Sequence, residues 1–213
     1  PADAVGIAIA SAIACIMRSE SNRLDATVLL SLSEALHLSG SEQPGSNTQL
    51  TSHALLALLY TAKELRSMRL PAQRALGRQL GEALLPPLLE RWSSLLDRLF
   101  HTQPGMLAAA IHATTLHTKV VRQLCELAPR ACAAPPERLS AILSRAQGAG
   151  DTLQSFAFGL NDGGLSFEMQ RIVDRLGAAL GKLARAACRA SDEAGVSNGA
   201  ASASSSWDQA VAA

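Results

Sequence analysis

The chain has 213 residues, of which 48% are hydrophobic, and its 19 basic and 18 acidic side chains leave a formal charge of +1. That supply of apolar residues builds a sizeable core without a disulfide or metal staple, and the near balance of charge excludes a strong overall field drawing the chain to nucleic acid or an anionic membrane. Seven aromatic residues, Trp92, Trp207, Tyr60, Phe100, Phe156, Phe158 and Phe167, leave the core to Leu, Ala, Ile and Val, which suits close helix packing better than sheet.

From the N-terminus, residues 4–17 (AVGIAIASAIACIM) carry no charge. The run is shorter than the 18 or more residues of a membrane span, and Asp3 stands where a signal peptide needs basic residues. A buried helix over about Asp3 to Ser19 is expected, with Ile7 and Ile9 on apolar faces that need cover from more than one side. Asn22 and Asp25 resemble a capping box for a second helix, and SGSEQPGSN at 39–47 is a loop.

A third helix is expected over Gln49 to Arg69, and a fourth from Pro71 to Leu85, ended by Pro86 and Pro87. The segment Leu88 to Phe100 carries an apolar stripe of Leu88, Leu89, Trp92, Leu95, Leu96 and Leu99. A long helix follows from Met106 to about Leu127, then breaks at Pro129 and Pro135–Pro136. Glu137–Gln147 and Asp151–Phe158 read as two further segments divided by Gly148 and Gly150. After an NDGG turn at 161–164, Ser166 is the expected N-cap of a last helix running to about Ala190.

These segments predict an all-α fold, a compact bundle or orthogonal array of eight or nine helices in antiparallel hairpins, with an irregular helical-hairpin solenoid as the alternative. Residues 1–190 form one helical domain in this reading, and 191–213 an Ala/Ser-rich C-terminal arm. Ordering each residue of such an arm costs about 1–2 kcal/mol, and its own small side chains offer little in return. Trp207 is its natural anchor, joined by Val211 one turn on, and the arm is expected to gain its contacts from a partner or a neighbouring subunit, with folding back over a groove of its own domain as the alternative.

The search for chemistry ends empty. His112 and His117 are five apart, off the common face that a metal pair needs at i and i+4. Ser33, Glu34 and His37 lack an orienting partner and an oxyanion site. The segment RLGAALGKLARAA (175–187) places Lys182 before Leu183 inside a helix, so it fails as a phosphate loop, and Gly177 and Gly181 are expected to admit a close helix neighbour. Cys15, Cys125, Cys132 and Cys188 have no ligand spacing and read as reduced thiols, suiting a cytoplasmic or other reducing compartment. Glu82, Glu90 and Asp97 with Arg78, Arg91 and Arg98 read as solvent-side ion pairs. No catalytic residue, cofactor, metal or small-molecule substrate is expected.

The basic residues divide into 16 Arg and only 3 Lys, a bias that reads as genomic base composition. Their distribution is uneven. Lys63, Arg66, Arg69, Arg74 and Arg78 form one possible polyanion-binding ridge, and Arg171, Arg175, Lys182, Arg185 and Arg189 a second. The expectation is a non-enzymatic structural or adaptor subunit, a shell or viral tegument component among the possibilities, that works through protein contacts at Trp207, Val211, Ile7 and Ile9. The alternative is a nucleic-acid-associated helical protein, favoured if the two ridges join. An enzyme reading needs His117, Cys125 and Cys132 to share a pocket.

Overall fold

The computed structural model describes residues 48–67, 69, 71–99, 101–161 and 167–193. The expected first two helices, the 39–47 loop, Cys15, Ile7, Ile9, the Ser33–Glu34–His37 group, residues 162–164 of the NDGG turn with Ser166, and residues 194–213 of the arm with Trp207 and Val211 lie outside the described residues. Within them the fold is an all-helical bundle of six helices: α1 (Thr48–Ser67), α2 (Pro71–Leu99), α3 (Pro104–Leu127), the short α4 (Pro129–Ala133), α5 (Pro136–Asn161) and α6 (Phe167–Glu193).

Two expected breaks are absent. Pro86 and Pro87 sit inside a continuous α2. The carbonyls that lose their N–H donors belong to Glu82 and Ala83, both exposed, so water can replace the missing bonds. On the opposite side Leu84, Leu85, Leu88, Leu89 and Trp92 are all buried and hold the helix together through the prolines. Gly148 and Gly150 likewise lie within α5. Each costs about 1 kcal/mol against alanine, which burial of Ala146, Ala149 and Leu153 offsets. Seven segments expected within the described residues thus become five long helices and one short one. The final helix runs three residues past the expected domain boundary at 190.

α3 is the centre, packed by α1, α2 and α6, while α5 packs on α6. Side-chain pairs set the directions. Gly81 of α2 faces Leu124 and Ala128, and Trp92 faces Thr118, so α2 runs antiparallel to α3. Arg66 reaches Glu126 from α1 and Arg189 reaches it from α6. Lys119, two turns earlier on α3, neighbours Lys63 of α1 and Arg175 and Lys182 of α6. Rising numbers on α1 and α6 therefore follow rising numbers on α3, and the three helices are parallel. On the other side Arg145 of α5 bonds Asp97 at 2.8 Å near the end of α2, and Arg138 lies beside Pro86 and Leu89 near its middle, so α5 runs with α2.

The core between these layers is Leu55, Leu58 and Leu65 from α1, Leu80, Leu84 and Trp92 from α2, Ile111, Val121 and Leu124 from α3, Ile142 from α5 and Leu176, Leu180 and Leu183 from α6. Full burial of each such side chain contributes roughly 1.5–3 kcal/mol. α2 and α3 approach closely. A Cβ on Gly81 would stand 2.5 Å from the Ala128 Cβ, and one on Gly77 3.1 Å from Leu127 Cδ2. Gly177, expected to admit a close neighbour, faces open space. Gly181, the other member of that expectation, is buried in α6, and the Gly77–Gly81 pair of α2 makes a close approach that was not expected. One polar bond stitches this seam, Trp92 Nε1 donating to Thr118 Oγ1 at 2.9 Å, and Thr118 in turn donates to Thr114 O at 2.7 Å.

Candidate functional site: a cationic face across three helices

α3 shows solvent one narrow strip, where Ala109, His112 and Lys119 are exposed and Leu116, Arg122 and Glu126 half-buried. The spacing of three or four residues keeps these on one side of the helix. Because α1 and α6 flank α3 in parallel, this strip is bordered by the exposed side chains of both. Lys63 and Arg66 stand on the α1 border, and Arg175, Lys182 and Arg189 on the α6 border.

The electrostatics show how close these groups are. Lys119 is held below the ordinary amine value, first by partial burial and then by repulsion from Lys63, Arg175, Lys182 and Arg122. Burial, with repulsion from Arg66 and Arg189, lowers Arg122 in the same way. Opposing them is Glu126, which pairs with Arg66, with Arg189 at 3.4 Å and with Arg122 at 3.9 Å. Its carboxylate is only 14% exposed, whereas Arg66 and Arg189 are 53% and 66% exposed. A cleft of about 290 Å³ opens beside this junction, lined by Arg66, Cys125, Glu126, Pro129, Arg189 and Glu193 among others. On the α1 border the Lys63 ammonium lies 5.1 Å from the Tyr60 ring centre, a cation–π contact.

The two basic ridges read from the sequence are therefore joined in part. Lys63 and Arg66 meet Arg175, Lys182 and Arg189 across α3, while Arg69 is exposed past the end of α1 and Arg74 and Arg78 are exposed on α2. Arg171 and Arg185 are exposed along α6. The central members, Lys119 and Arg122, and the counter-charge Glu126 were not in either ridge. Their signal was present as three charged residues at three- and four-residue spacing on one helix, but only the tertiary fold reveals which helices flank it.

The histidine–cysteine grouping does not assemble. His117 is buried, its Nδ1–H donating to Ala113 O at 3.0 Å, while its Nε2 is buried with no hydrogen-bond partner. Burial lowers it to about 4, and Arg91 adds to the depression. It does not line the cleft that Cys125 lines. Cys125 and Cys132 do meet across the α3–α4 bend, both reduced and buried. Their hydrogen bond and the apolar surroundings push the Cys125 thiol up, and the same bond with the nearby Arg138 cation draws Cys132 down. Cys188 is half-buried. Among the described residues no group of three or more His, Cys, Asp or Glu could hold a metal ion, and no helix is long and apolar enough to cross a membrane. Asp97, expected to pair along its own helix, instead reaches Arg145 of α5.

No family model, curated protein or solved structure matches the chain.

Proposed function

We propose that the protein acts by binding rather than catalysis, and that the face made by α1, α3 and α6 takes the phosphate backbone of a nucleic acid. The observation that carries this reading is the position of the lysines. The chain has three, Lys63, Lys119 and Lys182, against 16 arginines, and all three gather around Lys119 on this face. A compositional drift toward arginine gives no reason for the remaining lysines to converge.

Lysine ammonium groups are compact charges on flexible stems that follow a phosphate backbone without fixed geometry, whereas Arg122, Arg175 and Arg189 supply planar forks. From Arg175 to Arg189 the α6 border is about 21 Å long at 1.5 Å per residue. A duplex presents a phosphate on each strand about every 3.4 Å along its axis, so the border spans several of them. Among the described residues Tyr60 and the exposed His112 are the rings on this face, a sparse supply that favours backbone contact over base stacking.

The test is fluorescence anisotropy of the full chain with a labelled 20-base-pair duplex over a salt series. Four to five phosphate contacts give a slope of about −4 in log K against log salt. The triple variant Lys63→Glu, Lys119→Glu, Lys182→Glu should abolish binding while leaving the helical circular dichroism intact. Retained binding would remove this face from the case, and preferential binding to anionic vesicles would replace nucleic acid with a membrane surface.

A second reading, an adaptor or assembly subunit with a C-terminal arm, is favoured by two exposed apolar side chains. Phe167 and Met106 are 85% and 63% exposed, at the end where α6 and α3 begin. Its expected arm contacts, Trp207 and Val211, lie outside the described residues. Light scattering decides: Trp207→Ala or Phe167→Ser in the full chain should lower the particle mass, and an unchanged mass sinks this reading.

A further inference from the structure

The junction at Glu126 holds three guanidinium groups from three helices around one carboxylate. Arg66 comes from α1, Arg122 from α3 itself and Arg189 from α6. Each arginine has five N–H donors; Arg122 also turns donors toward the Gln123 side-chain oxygen, while the two oxygens of one carboxylate can engage only some of those on Arg66 and Arg189. Arg66 and Arg189 are mostly in solvent, while the carboxylate between them is largely enclosed. Guanidinium forks bind carboxylate and phosphate oxygens through the same geometry. The adjoining cleft of about 290 Å³ gives an incoming group room beside the carboxylate.

We propose that this junction is a phosphate subsite which the chain fills with its own carboxylate, and that Glu126 competes with a backbone phosphate of the bound nucleic acid for Arg66, Arg122 and Arg189. The inference rests on the binding face proposed above and adds a direction to it. An incoming phosphate takes the free donors of Arg66 and Arg189 first, because these lie outermost. Full engagement requires their bonds to Glu126 to loosen. Glu126 thus weakens nucleic-acid binding by more than its single negative charge, since it occupies donors as well as opposing the ligand's field.

That excess is measurable, because Glu193 lines the same cleft and supplies a control with the same charge change. The full chain and its Glu126→Gln and Glu193→Gln variants are titrated with the labelled 20-base-pair duplex over a salt series. Glu126→Gln should bind at least threefold tighter, with a salt slope steeper by about 1–2 as freed arginines take phosphates. Glu193→Gln should stay within about twofold of the parent, with an unchanged slope. Equal effects of the two variants would overturn the proposal and reduce Glu126 to background charge. Weaker binding by Glu126→Gln would also overturn it, making the carboxylate a support for the arginines.

Should Glu126→Gln fail to fold by circular dichroism, Glu126→Asp carries the test. It keeps the charge but withdraws the carboxylate by one methylene, and should tighten binding in the same direction to a smaller degree. The two levels of failure are distinct. A parent chain that binds, with Lys63→Glu, Lys119→Glu, Lys182→Glu abolishing binding and no difference between the two glutamine variants, sinks the subsite alone. Absence of salt-dependent binding in the parent and in every glutamate variant sinks both readings.

Discussion

Two sides of α3, two residues apart in sequence, treat an ionisable group in opposite ways. His117 faces the interior beside α2, where burial strips it of charge and it bonds a carbonyl of its own helix. Lys119 faces outward between α1 and α6, among four other cations. The inner side is closed by shape, with glycines on α2 letting its backbone approach and a Trp–Thr bond crossing the seam. The outer side is defined by charge with little packing. Stability should therefore reside in the first and binding in the second, so substitutions on the two sides should separate in what they change.

The largest test of that division is His117. Its folded value of about 4 lies below the ordinary 6.5, so the unfolded chain binds the proton more readily between those limits. Stability from this group is full above pH 6.5, falls as pH drops toward 4, and is level below that, for a total of about 3 kcal/mol. Urea unfolding of the parent from pH 7 to 4 should show the decline, and His117→Gln should flatten that part of the curve. A parent curve no steeper than the variant's would mean that His117 accepts its proton inside the fold.

Next is the glycine seam. Gly81→Ala should cost about 1–3 kcal/mol, because the new methyl meets Ala128 and must push α2 from α3. Gly177→Ala, in open space on α6, should instead stabilise by up to about 1 kcal/mol through helix propensity. Thermal melts that rank the two the other way would break the claim that the α2 pair makes the contact.

The smallest effect belongs to the outer side and appears in binding alone. A phosphate beside Lys119 raises its lowered affinity for a proton, so binding takes up a proton and weakens as pH rises through the value of the free lysine. Lys119→Arg keeps its charge throughout and should lose that alkaline decline, with an unchanged melting temperature. Equal pH profiles for parent and variant would move the phosphate contacts away from Lys119.

How far the sequence discloses this arrangement depends on whether a feature is local. Apolar spacing at Leu55, Leu59, Leu65, Leu176, Leu180 and Leu183 is local and marks the helices and their buried sides. The prolines at 86 and 87 mislead, because a helix can span them when one side is deeply buried and the freed carbonyls face water. The glycine pairs at 77–81 and 177–181 have the same spacing, yet Gly77 and Gly81 both meet a neighbour closely while Gly177 faces open space. Composition showed three lysines but not their meeting place. Proximity of α1, α3 and α6 is a property of the packed bundle, and with it come Lys119, Arg122 and Glu126 as the centre of the face.

The parallel course of α1, α3 and α6 has an electrical consequence of its own. Each helix carries about half a negative charge at its C-terminal end and half a positive one at its N-terminal end. Ser67, Leu127 and Glu193 close these helices on the same side of the bundle, so three backbone dipoles point their negative ends toward the Arg66–Arg122–Arg189 junction. Of these arginines Arg66 stands in the last turn of its own helix and offsets that negative end. Toward the helix beginnings the backbone field reverses sign and reinforces cationic side chains. A polyanion bound along the proposed face would thus be disfavoured by the backbone ends beside Glu126 and favoured by those at the opposite end, each within about one helical turn.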